Sequence, residues 1–298
     1  MNGTFLNIPL SAVPSWALDI SPPPAPVPWT PDLMSTFRGG WRPDDLTGLS
    51  AGAAIATLPS FGGVVTNTLT QATGSLQPVI GTINGKKTAL FDGTDDYMLA
   101  SDLTVANAAT SLFFWVLVQF VAYPADSQYK FITFDEGTST GRRFGILLGN
   151  TTTAKKIGIT YRIPDTGSTT VRLSTTAIAI GTPQLICAEM IVGGTGAPRT
   201  RLWLNGTVIL DEVPGVSTAP ALVNPVFDAT NATKSTMGGS YSGTTAQSNA
   251  HFILMGRNRG AVSDTDRQKL EGYACWYAGI QAQLPAGHPY LSAAPVLP

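Results

Sequence analysis

The chain has 298 residues, long enough to bury a sizeable core as one all-β unit or as two smaller domains. Charged residues make up 12% of it, about half the ~25% usual in globular proteins, and the formal net charge is −1. That balance argues against nucleic acid and anionic membrane as partners and leaves Thr, Ser, Asn, Gly and Ala to form the surface.

Residues 1–31 stand apart, with Pro9, Pro14, Pro22, Pro23, Pro24, Pro26, Pro28 and Pro31 among the chain's 22 prolines. The run 22–28 should be an extended polyproline-like spacer, because proline fixes φ and removes backbone donors. Before it, Phe5, Leu6, Ile8, Leu10, Val13, Trp16, Leu18 and Ile20 form an apolar tip too short for its own core. Disordered leaders are usually poor in aromatic and branched residues. We therefore expect 1–31 to be an anchoring arm that docks on a partner, and 32–298 to be one domain. No basic start and apolar stretch of a secretory signal opens the chain. If the protein acts outside a cell, it is not expected to leave by the ordinary secretory route.

From 32 to 262, short β-type runs alternate with turn clusters. Candidate strands are 88–91, 97–99, 112–121, 131–134, 143–148, 156–163, 170–173, 184–192, 199–204, 207–211 and 251–256. Asn205-Gly206 is the strongest hairpin signal, since both residues tolerate φ > 0. The run 112–118 is almost continuously apolar and is expected to be a central strand covered on both faces. With Gln119 in it, the longer run 112–123 falls short of the ~18 apolar residues of a membrane span. Residues 151–153 and 239–247 read as polar surface loops. Ser263 is a good N-cap, and Asp266 can answer it across the first turn. Leu270, Tyr273, Ala274, Tyr277 and Ile280 then recur at helical spacing, and Pro285 stops the helix. Cys187 lies in a strand-like run and Cys275 in the helix; one disulfide and two buried thiols both fit that placement.

Catalytic patterns are missing. The two histidines, His251 and His288, sit in no metal-binding spacing, and no nucleophile elbow or phosphate loop is present. The four glutamates, Glu136, Glu189, Glu212 and Glu271, form no alternating set on one strand, whereas glycoside hydrolysis needs two carboxyls flanking one bond. No enzyme activity and no organic cofactor are expected. Asp92, Asp95 and Asp96 are expected to shape an Asp92-Gly93 turn first and to be calcium ligands second.

The stretch Ser263-Asp264-Thr265-Asp266-Arg267-Gln268-Lys269-Leu270-Glu271-Gly272-Tyr273, followed by Leu284-Pro285-Ala286-Gly287-His288-Pro289-Tyr290, resembles the closing element of concanavalin A-like (laminin-G-like) domains of bacteriophage virion proteins and some bacterial surface proteins. Trp41-Arg42-Pro43-Asp44-Asp45, Ala72-Thr73-Gly74-Ser75-Leu76-Gln77-Pro78, Ile83-Asn84-Gly85 and Leu90-Phe91-Asp92-Gly93-Thr94-Asp95-Asp96-Tyr97 match the same family in order and spacing. Where relatives read Lys-Trp-Gly-Leu, this chain has Cys275-Trp276-Tyr277-Ala278-Gly279-Ile280, without the lysine. The resemblance covers about residues 29–291 and implies an all-β, two-sheet antiparallel jelly-roll sandwich with one C-terminal helix. Calcium at a loop rim and non-catalytic sugar binding are what it implies for function, although one fold hosts many functions. Candidate sugar contacts are Tyr161, Arg162, Trp203, Tyr241, Arg257, Asn258 and Arg259. The expectation is a multicopy or homo-oligomeric virion protein on the particle exterior: a capsid decoration, head fibre or tail fibre. Phe5, Leu6, Ile8, Leu10, Trp16, Leu18 and Ile20 would anchor it on other virion proteins, and host-surface glycan would be its ligand. A free bacterial carbohydrate-binding module or lectin, and a polysaccharide-degrading enzyme, are the alternatives.

Overall fold

A computed structural model describes residues 25–62, 67–100, 111–124, 129–137, 141–149, 155–162, 169–191, 199–212, 234–239 and 246–297. The apolar tip at Phe5, Leu6, Ile8, Leu10, Trp16, Leu18 and Ile20 lies outside these residues, as does Tyr241.

In chain order the strands are β1 (Phe37–Trp41), β2 (Thr57–Leu58), β3 (Ser60–Phe61), β4 (Leu69–Thr70), β5 (Val79–Ile83), β6 (Lys86–Asp92), β7 (Met98–Ala100), β8 (Ser111–Phe120), β9 (Lys130–Gly137), β10 (Gly141–Leu148), β11 (Lys156–Arg162), β12 (Thr169–Ala177), β13 (Gln184–Ile191), β14 (Arg199–Leu204), β15 (Thr207–Glu212), β16 (Lys234–Met237) and β17 (Asn249–Arg259). Helix α1 (Asp264–Ala278) follows. One sheet runs β15-β14-β13-β8-β17-β1-β3, with β6 also on β17 and β5 on β6. The other runs β12-β11-β10-β9-β16-β7-β4-β2. The strand pairings are antiparallel, so the body is a two-sheet jelly-roll sandwich.

Strand β8 shows why the fold is stable. Leu112, Phe114, Val116, Val118 and Phe120 point into the core between the sheets, against Phe144, Ile146, Ile159 and Phe252. Phe113, Trp115 and Leu117 point the other way, onto Leu270, Ala274 and Cys275 of α1. The near-continuous apolar run is thus a strand buried on both faces, as expected. Helix α1 begins where the cap places it: Ser263 Oγ accepts from Asp266 N at 3.0 Å, and Gly279 closes it in the left-handed region. Both cysteines are free and buried, and burial pushes the Cys275 thiol up to about 12.

The C-terminal segment locks onto the helix through one buried carboxylate. Glu271 Oε1 accepts from Arg267 at 2.5 Å, and its Oε2 lies 3.1 Å from His288 Nε2. Tyr290 N donates to His288 Nδ1, so Nε2 carries the proton that faces Glu271. His288 therefore has a packing role. At the other end of the chain, Leu297 N donates to Val27 O and Trp29 N to Pro295 O. The last residues of the expected arm already lie on the body, with Trp29 and Pro31 buried.

Candidate functional site

Strand β6 ends at Asp92 and β17 begins at Asn249, and the two are register partners on the outer rung of the ladder. Val121 N, just past β8, donates to Asn249 O at 2.9 Å and holds that rung in place. The chain leaves β6 through a tight turn. Thr94 N donates to Asp92 Oδ1 at 2.7 Å, and Asp92 N donates to Asp96 Oδ2 at 3.0 Å. Gly93 has φ +80°, and a Cβ there would stand 2.8 Å from the Asn249 Cβ. Only glycine lets the turn close this tightly on Asn249.

Asp92 and Asn249 form a wall shared by two clefts. One cleft, about 430 Å³, is lined by Gly93, Tyr123, Lys130 and Gln247 besides the wall. The other, about 490 Å³, adds Ser75, Gln77, Asp96 and His251. Both volumes lie within the ~300–1,000 Å³ of ordinary small-molecule sites. Tyr123 is held by its hydroxyl, which donates to Ile178 O at 2.5 Å, and Lys155 Nζ lies 5.8 Å from its ring centroid. His251 Nδ1 is 2.9 Å from Thr88 Oγ1, and burial holds its imidazole below the usual histidine range. Asp96 is only 7% exposed. Burial first, then the neighbouring Asp92 and Asp95 charges, lift its carboxyl to about 6, against the opposing pull of the Asp92 N–H.

The Asp92, Asp95 and Asp96 carboxylates bring one oxygen each within 4.8 Å of one another. Calcium takes about six to eight oxygens, and two carboxylate oxygens here already accept backbone N–H groups. The turn-forming role is thus directly visible, and the three carboxylates make at most part of a calcium shell.

Most of the residues singled out for sugar contact are elsewhere. Tyr161 and Trp203 are each 2% exposed, so neither ring can stack on a sugar. Tyr161 is in the core between the sheets; Trp203 lies 4.8 Å from the Arg201 and Arg267 guanidinium groups. Arg257 is buried 5.0 Å over the Trp41 ring, and buried Asn258 donates to Thr36 Oγ1. Arg259 is half-buried, with its backbone N–H on Thr36 O. The reason is topological: β17 is a central strand, so residues that read as following the last strand are inside it. Arg162 ends β11, and its side chain is outside the description. The cleft residues Tyr123, Gln77, Gln247, Asn249 and His251 come from three distant segments, with Gln77 and Tyr123 on two of them and Gln247, Asn249 and His251 alternating along the third. The acidic turn was the one feature read there as a ligand site.

No protein-family model matches the chain, and no curated protein does. Among solved structures it is similar to the binding domain of Paraclostridial Mosquitocidal Protein 1, at 9% identity and a TM-score of 0.52, over 75% of this chain and 51% of that one. It is also similar to Trypanosoma rangeli sialidase in complex with sialic acid, at 10% identity and a TM-score of 0.51, over 80% of this chain and 33% of that one. What is shared is the fold. The chain spans about half the length of the first and a third of the second.

Proposed function

We propose that this chain is a non-catalytic glycan-binding jelly roll displayed on the exterior of a bacteriophage particle, held there by its N-terminal arm and present in many copies. The observation that carries the binding half is the Asp92–Asn249 wall shared by two clefts. Carboxylates, amides and an imidazole supply the donors and acceptors that sugar hydroxyls need, and a fixed tyrosine ring adds apolar surface. Individually weak contacts suit a multicopy display, where avidity multiplies them.

The use of the described acids supports a non-catalytic reading. Glu189 and Glu271 are buried in ion pairs with Arg201 and Arg267, and Glu212 pairs with Arg172. Asp92 and Asp96 sit in one turn and hold its backbone. The virion half rests on the resemblance of the closing helix and its Leu-Pro-Ala-Gly-His-Pro-Tyr tail to phage domains. A free bacterial carbohydrate-binding module is the rival reading, and the apolar, proline-linked arm speaks for an assembly subunit instead.

The test is a direct one. Purified chain is titrated with the host's surface polysaccharide while release of oligosaccharides is followed. Binding that Asn249→Ala weakens at least about tenfold, without product release, supports the reading. Absence of binding by the unaltered chain, or release of oligosaccharides, overturns it. Mass spectrometry of purified particles separates a virion subunit from a free module.

A further inference from the structure

The site has two clefts and one wall. Asp92 and Asn249 are register partners, and both line both clefts. Asp92 Oδ1 is occupied by Thr94 N, which leaves Oδ2 as an acceptor, and the Asn249 carboxamide can donate and accept at once. One acceptor and one group that both donates and accepts, each shared by the two cavities, are suited to bracket a linkage.

The charge is uneven. The Asp96-side cleft holds two carboxylates, with Asp95 beside it, and its described lining includes no lysine or arginine. Among the described lining residues His251 is the one basic group, and burial favours the neutral imidazole. The Tyr123-side cleft has one of those carboxylates and Lys130. An acidic sugar entering the Asp96 side would meet like charge from exposed Asp92 and buried Asp96, and repulsion from the buried group is screened poorly.

Building on the glycan-binding reading, we infer that the two clefts are adjoining subsites for consecutive units of one polysaccharide chain. The unit on the Asp96 side is neutral or carries an amino group, and the linkage lies over Asp92 and Asn249. The ligand class is thus an internal stretch of a neutral or amino-sugar-containing polymer, not a single terminal acidic sugar.

Calorimetry on the full chain tests this with three series of one to four units: N-acetylglucosamine oligomers, their glucosamine counterparts, and oligogalacturonides. Affinity for the first two should rise about tenfold from one unit to two and then level off. Oligogalacturonides should bind at least about tenfold more weakly than the neutral series. Ser75 and Ala122 are exposed on opposite clefts, so substituting either leaves the core untouched. Ser75→Leu and Ala122→Leu should each bring two-unit affinity down to the one-unit level. Equal affinity for one and two units, or an effect of only one of the two blocks, overturns the paired-subsite inference. Preferred binding of oligogalacturonides overturns its charge assignment. If host polysaccharide binds and none of these probes does, the inference fails and the glycan reading stands; if nothing binds, both fail.

Discussion

Asp96→Asn removes the most perturbed charge in the site, and its effect can be worked out in advance. The Asp96 carboxyl is lifted from its usual 3.8 to about 6 by burial and by Asp92 and Asp95. Between those values the folded chain keeps the proton that the unfolded chain has lost. The folded state thus binds more protons there, and stability falls as pH rises through that window. At about 1.4 kcal/mol per unit, the full penalty above pH 6 is at most about 3 kcal/mol. Asparagine is never charged, and its carbonyl can still accept from Asp92 N. Weakening that charge-assisted bond offsets about 1 kcal/mol of the gain. Asp96→Asn should therefore stabilise the protein by about 1–3 kcal/mol at pH 7.5 and have little effect, or a slightly negative one, at pH 4. Urea unfolding of both proteins at half-unit steps from pH 4 to 8 reads the difference, and other titrating groups largely cancel in it. A difference that stays flat across the window, or grows toward acid, would refute the electrostatic account of this turn.

Four further outcomes are expected. Leu270 is fully buried under the outer face of the larger sheet, and Leu270→Ala should cost about 2–5 kcal/mol in chemical denaturation; a loss below half of one would mean α1 is not a core element. His288→Ala strips one donor from buried Glu271 and should cost about 1–3 kcal/mol, partly recovered in His288→Gln. Chelation should shift Tm by less than ~4 °C, the equivalent of about 1 kcal/mol in a domain of this size, and a larger shift would make calcium structural. Deleting residues 1–24, before the pairing at Val27, should leave a folded body that no longer joins the particle. Assembly of that truncation at normal copy number would place attachment on the sandwich.

How much was legible depended on whether a feature was local. Strand β8 and helix α1 announce themselves because their patterns are long and their neighbours in sequence are their neighbours on one face. Strands β1 to β5 and β16 were not predicted. They are two to five residues long, and β1 carries Gly39-Gly40. What makes them strands is pairing with distant partners, such as β1 on β17. Glu271 is invisible to periodicity too: a charged residue on a helix reads as solvated, and only Arg267 and His288 make its burial tolerable. Trp203 and Arg257 read as exposed for the converse reason: both are buried against rings and charges that no local pattern reveals. The turn at Asp92 was found because Asp-Gly has local chemistry, while Asn249, its partner across the ladder, lies over 150 residues away.

Strand β17 pairs with β8, β1 and β6, which places it mid-sheet although it is the last strand to be made. A ribosome emits chain from the N-terminus at ~5–20 residues per second, so β8, β1 and β6 wait for their common neighbour with open edges. Closure of the larger sheet is then a late, long-range event, which slows folding and exposes apolar β8 meanwhile. Nascent chains stopped short of Asn249 should stay protease-sensitive and tend to aggregate, and those extended past Arg259 should acquire resistance together rather than strand by strand.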